Sequence, residues 1–153
     1  MRFGCTTAEV ARLTKLSAMG FDFAELRGRA LAPLRDEESF AVLSERIRDS
    51  GIAVEALSGL IPPYVSLPIV GPSVDRARLL GHVQMVLDRA ATLGVRVVVF
   101  GSGSARSAPP GFPRERALAQ LRDFVASCAD LCAARKMDLA IEFLNREETN
   151  LIN

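Results

Sequence analysis

The sequence has no tryptophan, one tyrosine and one histidine, and Lys15 and Lys136 are its only lysines. The lone histidine, His82, falls inside a helical pattern beside an apolar stripe, where packing is the expected role. With no second histidine there is no Ser-His-Asp or Cys-His constellation and no His/Cys zinc site. Cys5, Cys128 and Cys132 are odd in number and include no CxxC pair, which excludes a disulfide framework. Cys128 and Cys132 stand four apart on a predicted helix and read as buried free thiols. Charge of one sign is also missing: 19 basic against 18 acidic residues leave a net charge of +1. That balance gives neither nucleic acid nor an anionic membrane an electrostatic footing. The dominance of arginine over lysine reads as a base-composition bias. No apolar run approaches the ~18–20 residues of a membrane span, and "MRFGCTTAEVARL" has no signal-peptide core. A cytoplasmic location is the default expectation.

What is present is the composition of one globular domain spanning residues 1–153, with 49% hydrophobic and 24% charged residues. Strand and helix signals alternate along it. Residues 2–6 read as a first strand. Thr6, three residues ahead of Glu9, resembles a capping box opening a helix that Gly20 ends. Residues 21–27 read as a second strand, and residues 36–51 as a helix with acids first and bases last, the order its dipole favours. A third strand covers 52–61, and a Pro-rich loop follows. Ser73 is placed to cap a third helix with the stripe Leu79, Val83, Val86, Ala90 and Leu93. The β-branched run at 95–101 suits a strand buried on both faces. Pro113 then opens a fourth helix with Leu118, Leu121, Val125, Cys128 and Cys132 inward, and residues 137–142 form a fifth strand.

Repeating βα units imply an α/β fold with parallel strands and right-handed crossovers. Two architectures fit: a five-stranded doubly wound sheet, or an incomplete (β/α)8 barrel carrying about strands one to five. The tail after the fifth strand is too short for the covering helix of a doubly wound domain, which favours the barrel. In either case ligands are expected at the carboxyl ends of the strands.

Glu142 ends the fifth strand, where a carboxylate can bind a divalent cation, act as a general base, or simply face solvent. Glu25 and Glu55 stand at or near the ends of strands two and three and could share its cleft. Glu55 could equally pair inside the sheet, and Glu25 could pair with Arg27. "FGSGSAR" (100–106) follows a strand, yet Arg106 replaces the third glycine of a dinucleotide loop and no helix is expected to open behind it. Ser102, Ser104 and Arg106 could there meet a polyol or a phosphate.

The closing stretch "IEFLNREETNLIN" resembles the strand-five motif of xylose isomerase-like sugar (phosphate) isomerases and epimerases. Glu142-Phe143-Leu144-Asn145-Arg146-Glu147-Glu148 follows the ketose 3-epimerase pattern of Glu, two apolar residues, Asn-Arg, any residue, Glu. "FAELRG" and "VVVFGSGSAR" also look like that family. The resemblance implies a (β/α)8 TIM barrel and a divalent metal, Mn2+, Mg2+ or Co2+. Its ligands would be a Glu, an Asp, a His and a Glu after strands five, six, seven and eight. It makes Glu142 the first metal ligand and a catalytic acid/base. Glu148 becomes a substrate contact, with Asn145, Arg146, Ser102 and Glu25 as further substrate-binding candidates. The implied activity is sugar or sugar-phosphate isomerisation or epimerisation through an ene-diolate.

Strands six to eight are not in this sequence. The expectation is therefore part of a barrel of roughly 250–280 residues, inactive alone, binding no stoichiometric metal, and self-associating through its open edges. The alternatives are an inosose isomerase or dehydratase of the same superfamily, and a non-catalytic α/β anion-binding domain. A DNA-repair endonuclease is disfavoured by the neutral charge and the lack of early histidines.

Overall fold

The computed structural model describes residues 1–31 and 36–153. Five strands, β1 (Gly4–Thr7), β2 (Phe23–Arg27), β3 (Val54–Ser58), β4 (Val97–Phe100) and β5 (Asp138–Ile141), form one sheet in the order β1-β2-β3-β4-β5. Every neighbouring pair is parallel. This order decides between the two architectures. A doubly wound sheet reverses its winding at a switch point, so consecutive strands are not all neighbours. Here each strand lies beside its successor, which is the winding of a barrel. The chain carries helices α1 (Leu13–Ala18), α2 (Glu37–Asp49), α3 (Arg76–Thr92) and α5 (Arg114–Ala133), with a single turn, α4 (Gly103–Arg106), inside the loop after β4.

Local chemistry sets the helix ends, though not always at the expected residue. Asp36 caps α2 by accepting from the Ser39 amide at 2.7 Å. Asp75, not Ser73, caps α3, accepting from the Arg78 amide at 3.0 Å. The Thr6–Glu9 box does not form. Thr6 lies within β1, and its hydroxyl donates across the sheet to Glu25 at 3.2 Å. Its neighbour Thr7, on the opposite face, accepts from the Glu9 amide at 3.1 Å. The Gly/Ser stretch 100–106 itself closes with the single turn α4, and the next helix, α5, begins only at Arg114.

Between sheet and helices lies one core. Leu26, Leu57, Val98 and Phe100 enter it from the strands, and Leu79, Val83, Val86 and Ala90 from α3. On α5 the buried stripe is Ala117, Leu121, Phe124, Cys128 and Cys132, whereas Leu118 is 38% exposed. Phe124 sets this rotation by packing its ring 5.5 Å from that of Phe100. In β4 only one face is buried: Val98 and Phe100 are enclosed and Val97 and Val99 half-buried. No helix among the described residues is long and apolar enough to cross a membrane.

Candidate active site at the carboxyl ends of the strands

A cleft of about 670 Å³ opens where the strands end. Its wall includes Thr6, Glu25, Arg27, Ser58, Ser102 and Glu142, with Arg29, Ser104 and Glu148 from the following loops. The fold thus gathers Glu25, Ser102, and the pair Glu142 and Glu148 from three distant stretches of sequence. Asn145 and Arg146 do not line this cleft. A larger hollow of about 1110 Å³ lies elsewhere, among the turn after β1, α2 and Tyr64, and contains none of the four.

Glu142 is carried by β5. Its amide donates to the Phe100 carbonyl at 3.1 Å, continuing the β4–β5 ladder one step past the strand. Its carbonyl accepts from Arg106 at 3.0 Å. Backbone bonds on both sides fix the residue, and its carboxylate has no hydrogen-bond partner among the described residues. That carboxylate lies against Gly101, where an added Cβ would collide with it. At Gly103 a Cβ would come within 2.6 Å of the Glu148 carbonyl oxygen. The two glycines therefore let the loop after β5 settle onto the loop after β4.

The polar run behind Glu142 is largely spent on that docking. Asn145 accepts at Oδ1 from the Glu147 and Glu148 amides at 2.8 and 3.1 Å, and donates from Nδ2 to Glu148 Oε2 at 2.8 Å. It acts by orienting Glu148. Thr149 is buried and meets Ser107 at 3.2 Å. Asn150 exchanges two hydrogen bonds of 2.8 Å with the backbone of Ala108. Ser102 accepts from the Ile61 amide at 3.0 Å, so its hydroxyl is partly committed to holding the loop after β3.

Arg106 departs most from the sequence-based expectation. It does not reach the cleft; it is fully buried. Its guanidinium donates to the carbonyls of Phe100 (3.5 Å), Glu142 (3.0 Å) and Ile152 (3.2 Å). Burial lowers its pKa, and the nearby charges of Glu142 and Glu148 oppose that shift. Arg106 clamps the β4 and β5 ends together beneath the site. A basic residue just after a Gly/Ser loop gave no sign of pointing inward.

The other candidates separate cleanly. Glu55 faces Arg2, which donates to both its oxygens at 2.9 and 2.6 Å, and this partner holds its pKa low. Glu25 accepts from Thr6, and among the described residues it forms no ion pair with Arg27. His82 is buried, with Nε2 3.1 Å from the Leu60 carbonyl. Burial lowers its pKa more than that hydrogen bond raises it. Cys128 and Cys132 are buried free thiols, and burial pushes the Cys128 thiol up to about 12. The implied metal needs a set of ligands. Among the described residues no three His, Cys, Asp or Glu side chains group to hold an ion. The residues present supply one candidate ligand, Glu142, and do not by themselves amount to such a site.

The chain belongs to the xylose isomerase-like TIM barrel family, whose pattern matches residues 13–153. Among solved structures it is similar to a D-psicose 3-epimerase determined in the presence of D-fructose, with TM-score 0.78 and 19% identity over 100% of this chain and 56% of that one. A D-psicose 3-epimerase from Clostridium cellulolyticum H10, solved with D-tagatose, gives TM-score 0.76 and 20% identity over 100% and 56%. An AP endonuclease, family 2, from Brucella melitensis gives TM-score 0.70 and 14% identity over 95% and 56%. This chain therefore spans little more than half the length of the barrels it matches. No curated protein matches it significantly.

Proposed function

We propose that this chain is the strand-one-to-five part of a sugar or sugar-phosphate isomerase or epimerase. The observation that carries the reading is the Glu142 carboxylate: fixed by its backbone at the end of β5, without a hydrogen-bond partner among the described residues, and facing a cleft with Glu25 and Glu148. A carboxylate so placed can take the proton from the carbon beside a ketose carbonyl and return it. Glu148, oriented by Asn145, holds a substrate hydroxyl. Ser102 and Glu25 supply further polar contacts along the cleft, and Arg146, exposed on the loop after β5, is a further candidate substrate contact. The epimerase structures that resemble this chain were solved with ketoses, D-fructose and D-tagatose, which supports a ketose-sized ligand. The divalent metal of the complete barrel would polarise the carbonyl; only Glu142 of this chain would touch it. The AP endonuclease likeness extends to the fold, and the net charge of +1 and the buried His82 speak against DNA chemistry.

Hydrogen–deuterium exchange at the carbon next to the carbonyl of ketoses and ketose phosphates tests this. The chain alone is expected to be silent. Joined to three further βα units bearing Asp, His and Glu at the strand ends, with Mn2+ present, it should exchange. Glu142→Gln should abolish that exchange; a rate unchanged by Glu142→Gln would overturn the reading. On its own the chain should also self-associate. β1 and β5 are open parallel edges, and Phe3 and Phe143 beside them are 60% and 78% exposed. A monodisperse monomer in light scattering would contradict that.

A further inference from the structure

The β2 end of the cleft carries charge that proton transfer at Glu142 does not use. Arg27 ends β2 and Arg29 follows in the helical turn Gly28–Ala30; both are exposed and both line the cleft. Arg2, Arg12, Arg89 and Arg135 each hold a carboxylate. Among the described residues neither Arg27 nor Arg29 makes an ion pair or a hydrogen bond, although Glu25 stands two residues before Arg27 on the same strand.

This end is also well anchored. Gly28 sits between the two arginines and against the end of β3: a Cβ there would come within 2.6 Å of the Gly59 carbonyl oxygen. Arg27 pairs in register with Ser58. The hydroxyls of Ser58 and Ser104 line the same cleft and have no hydrogen-bond partner among the described residues. Arg27, Arg29 and the Ser58 hydroxyl thus line the β2 end of the cleft, with Glu25 two residues before Arg27, and Ser104 faces the same cleft from α4 after β4. Glu142 and Glu148 lie toward β5. Three strand spacings separate β2 from β5, about 14 Å measured along the sheet, and barrel curvature shortens the span across the cleft. The β2 end therefore carries two arginines against one carboxylate, Glu25, while the β5 end carries Glu142 and Glu148.

A neutral sugar offers these guanidiniums hydroxyl acceptors but no charge to pair with. A phosphate monoester carries that charge, and its oxygens accept bidentate guanidinium bonds and hydroxyl bonds together. We propose that Arg27 and Arg29, with Ser58 and Ser104, form an anion subsite that takes the phosphate of a phosphorylated ketose, its carbonyl end directed toward Glu142. The subsite deepens the sugar isomerase/epimerase reading and rests on it for the orientation of the ligand.

The test is amide NMR of the 153-residue chain titrated with four probes: D-fructose, D-fructose 6-phosphate, inorganic phosphate and D-glucuronate. D-Fructose 6-phosphate should shift amides at Arg27–Arg29 and Ser58–Gly59 and also at Glu142–Glu148. It should bind at least about tenfold tighter than D-fructose, as charge-assisted bonds to a phosphate imply. The double variant Arg27→Ala/Arg29→Ala should remove that advantage, and Arg27→Lys/Arg29→Lys should keep part of it. Inorganic phosphate should shift the β2-end amides alone. Equal binding of the two fructoses, no effect of the double alanine variant, or tighter binding of D-glucuronate would each overturn the subsite. If D-fructose shifts Glu142–Glu148 and the phosphate adds nothing, the subsite falls and the ketose reading stands. If phosphate and D-fructose 6-phosphate shift only the β2 end, the subsite stands and the ketose reading falls.

Discussion

On the helix side of the sheet Leu26, Leu57, Val98 and Phe100 lose nearly all contact with solvent. On the other side Glu25, Ala56, Val97 and Val99 stay half-buried, and Arg27 and Ala140 are exposed. The same strands supply both sets, alternating residue by residue. The comparison separates two tasks. The helix side is closed by this chain's own helices and carries its stability. The inner side, where a barrel packs its strands against one another, is where the charges and the cleft residues stand. Substitutions on the two sides should therefore differ in kind.

The largest difference is expected between neighbours in β4. Phe100→Ala removes a ring packed on Phe124 in the closed layer and should cost about 3–5 kcal/mol. Val99→Ala, one residue away on the open face, should cost about 1 kcal/mol or less, because the half-buried methyl groups keep only part of their area from water. Urea unfolding of both variants measures the gap, and equal losses would show that the inner face is as well packed as the outer.

Arg106 breaks the division, being a charged residue on the closed side of the site. Arg106→Ala removes the donor from the Glu142 and Ile152 carbonyls, while the Phe100 carbonyl keeps the Glu142 amide. A loss of about 2–4 kcal/mol is expected, as for other buried polar groups left without partners. Proteolysis should become faster within residues 142–153, since that segment would lose its anchor. A loss under about 0.5 kcal/mol, the range of an ordinary surface change, would mean that the guanidinium is not a clamp.

A smaller, pH-dependent effect separates His82 from the site. Burial keeps its pKa below the ordinary imidazole value, about 6.5. The unfolded chain then binds a proton that the folded chain refuses. Stability from the neutral ring is complete above that ordinary value and declines as pH falls below it toward the folded pKa. Melting temperature should drop between about pH 7 and pH 5, and His82→Gln should flatten that slope. A wild-type slope unchanged in the variant would assign the titration to another group.

The layout of this fold was open to reading because its signals are local. Alternating βα units fix parallel strands, and the stripe Leu79, Val83, Val86 and Ala90 fixes the buried face of α3. Periodicity left the sheet order open, since adjacency of β1 to β2 and onward depends on where helices cross over. The β5 motif drew attention to Glu142 and Glu148 because the residues are close in sequence. Arg27 and Ser58 were not seen together because their meeting is a matter of strand register across 31 residues. The inward turn of Arg106 is hidden for a related reason: whether an arginine after a loop turns inward depends on carbonyls supplied from other segments.

The smallest effect sharpens the comparison through glycine. Gly81 is exposed in the middle of α3, and a Cβ there would meet nothing within 4 Å. Its backbone is already helical, so Gly81→Ala only narrows the unfolded ensemble and should stabilise the chain by about 0.5–1 kcal/mol. Gly103→Ala is the same chemical change in a short helical turn with the same loss of unfolded freedom. There the new methyl meets the Glu148 backbone at 2.6 Å, and backbone cannot swing aside as a flexible side chain can. The sign should therefore reverse, and amide shifts should spread through residues 142–149. Thermal melts of the two variants side by side test this. If Gly103→Ala also stabilises, the β5 loop has room to withdraw, and the close approach that positions Glu148 is not a constraint of the fold.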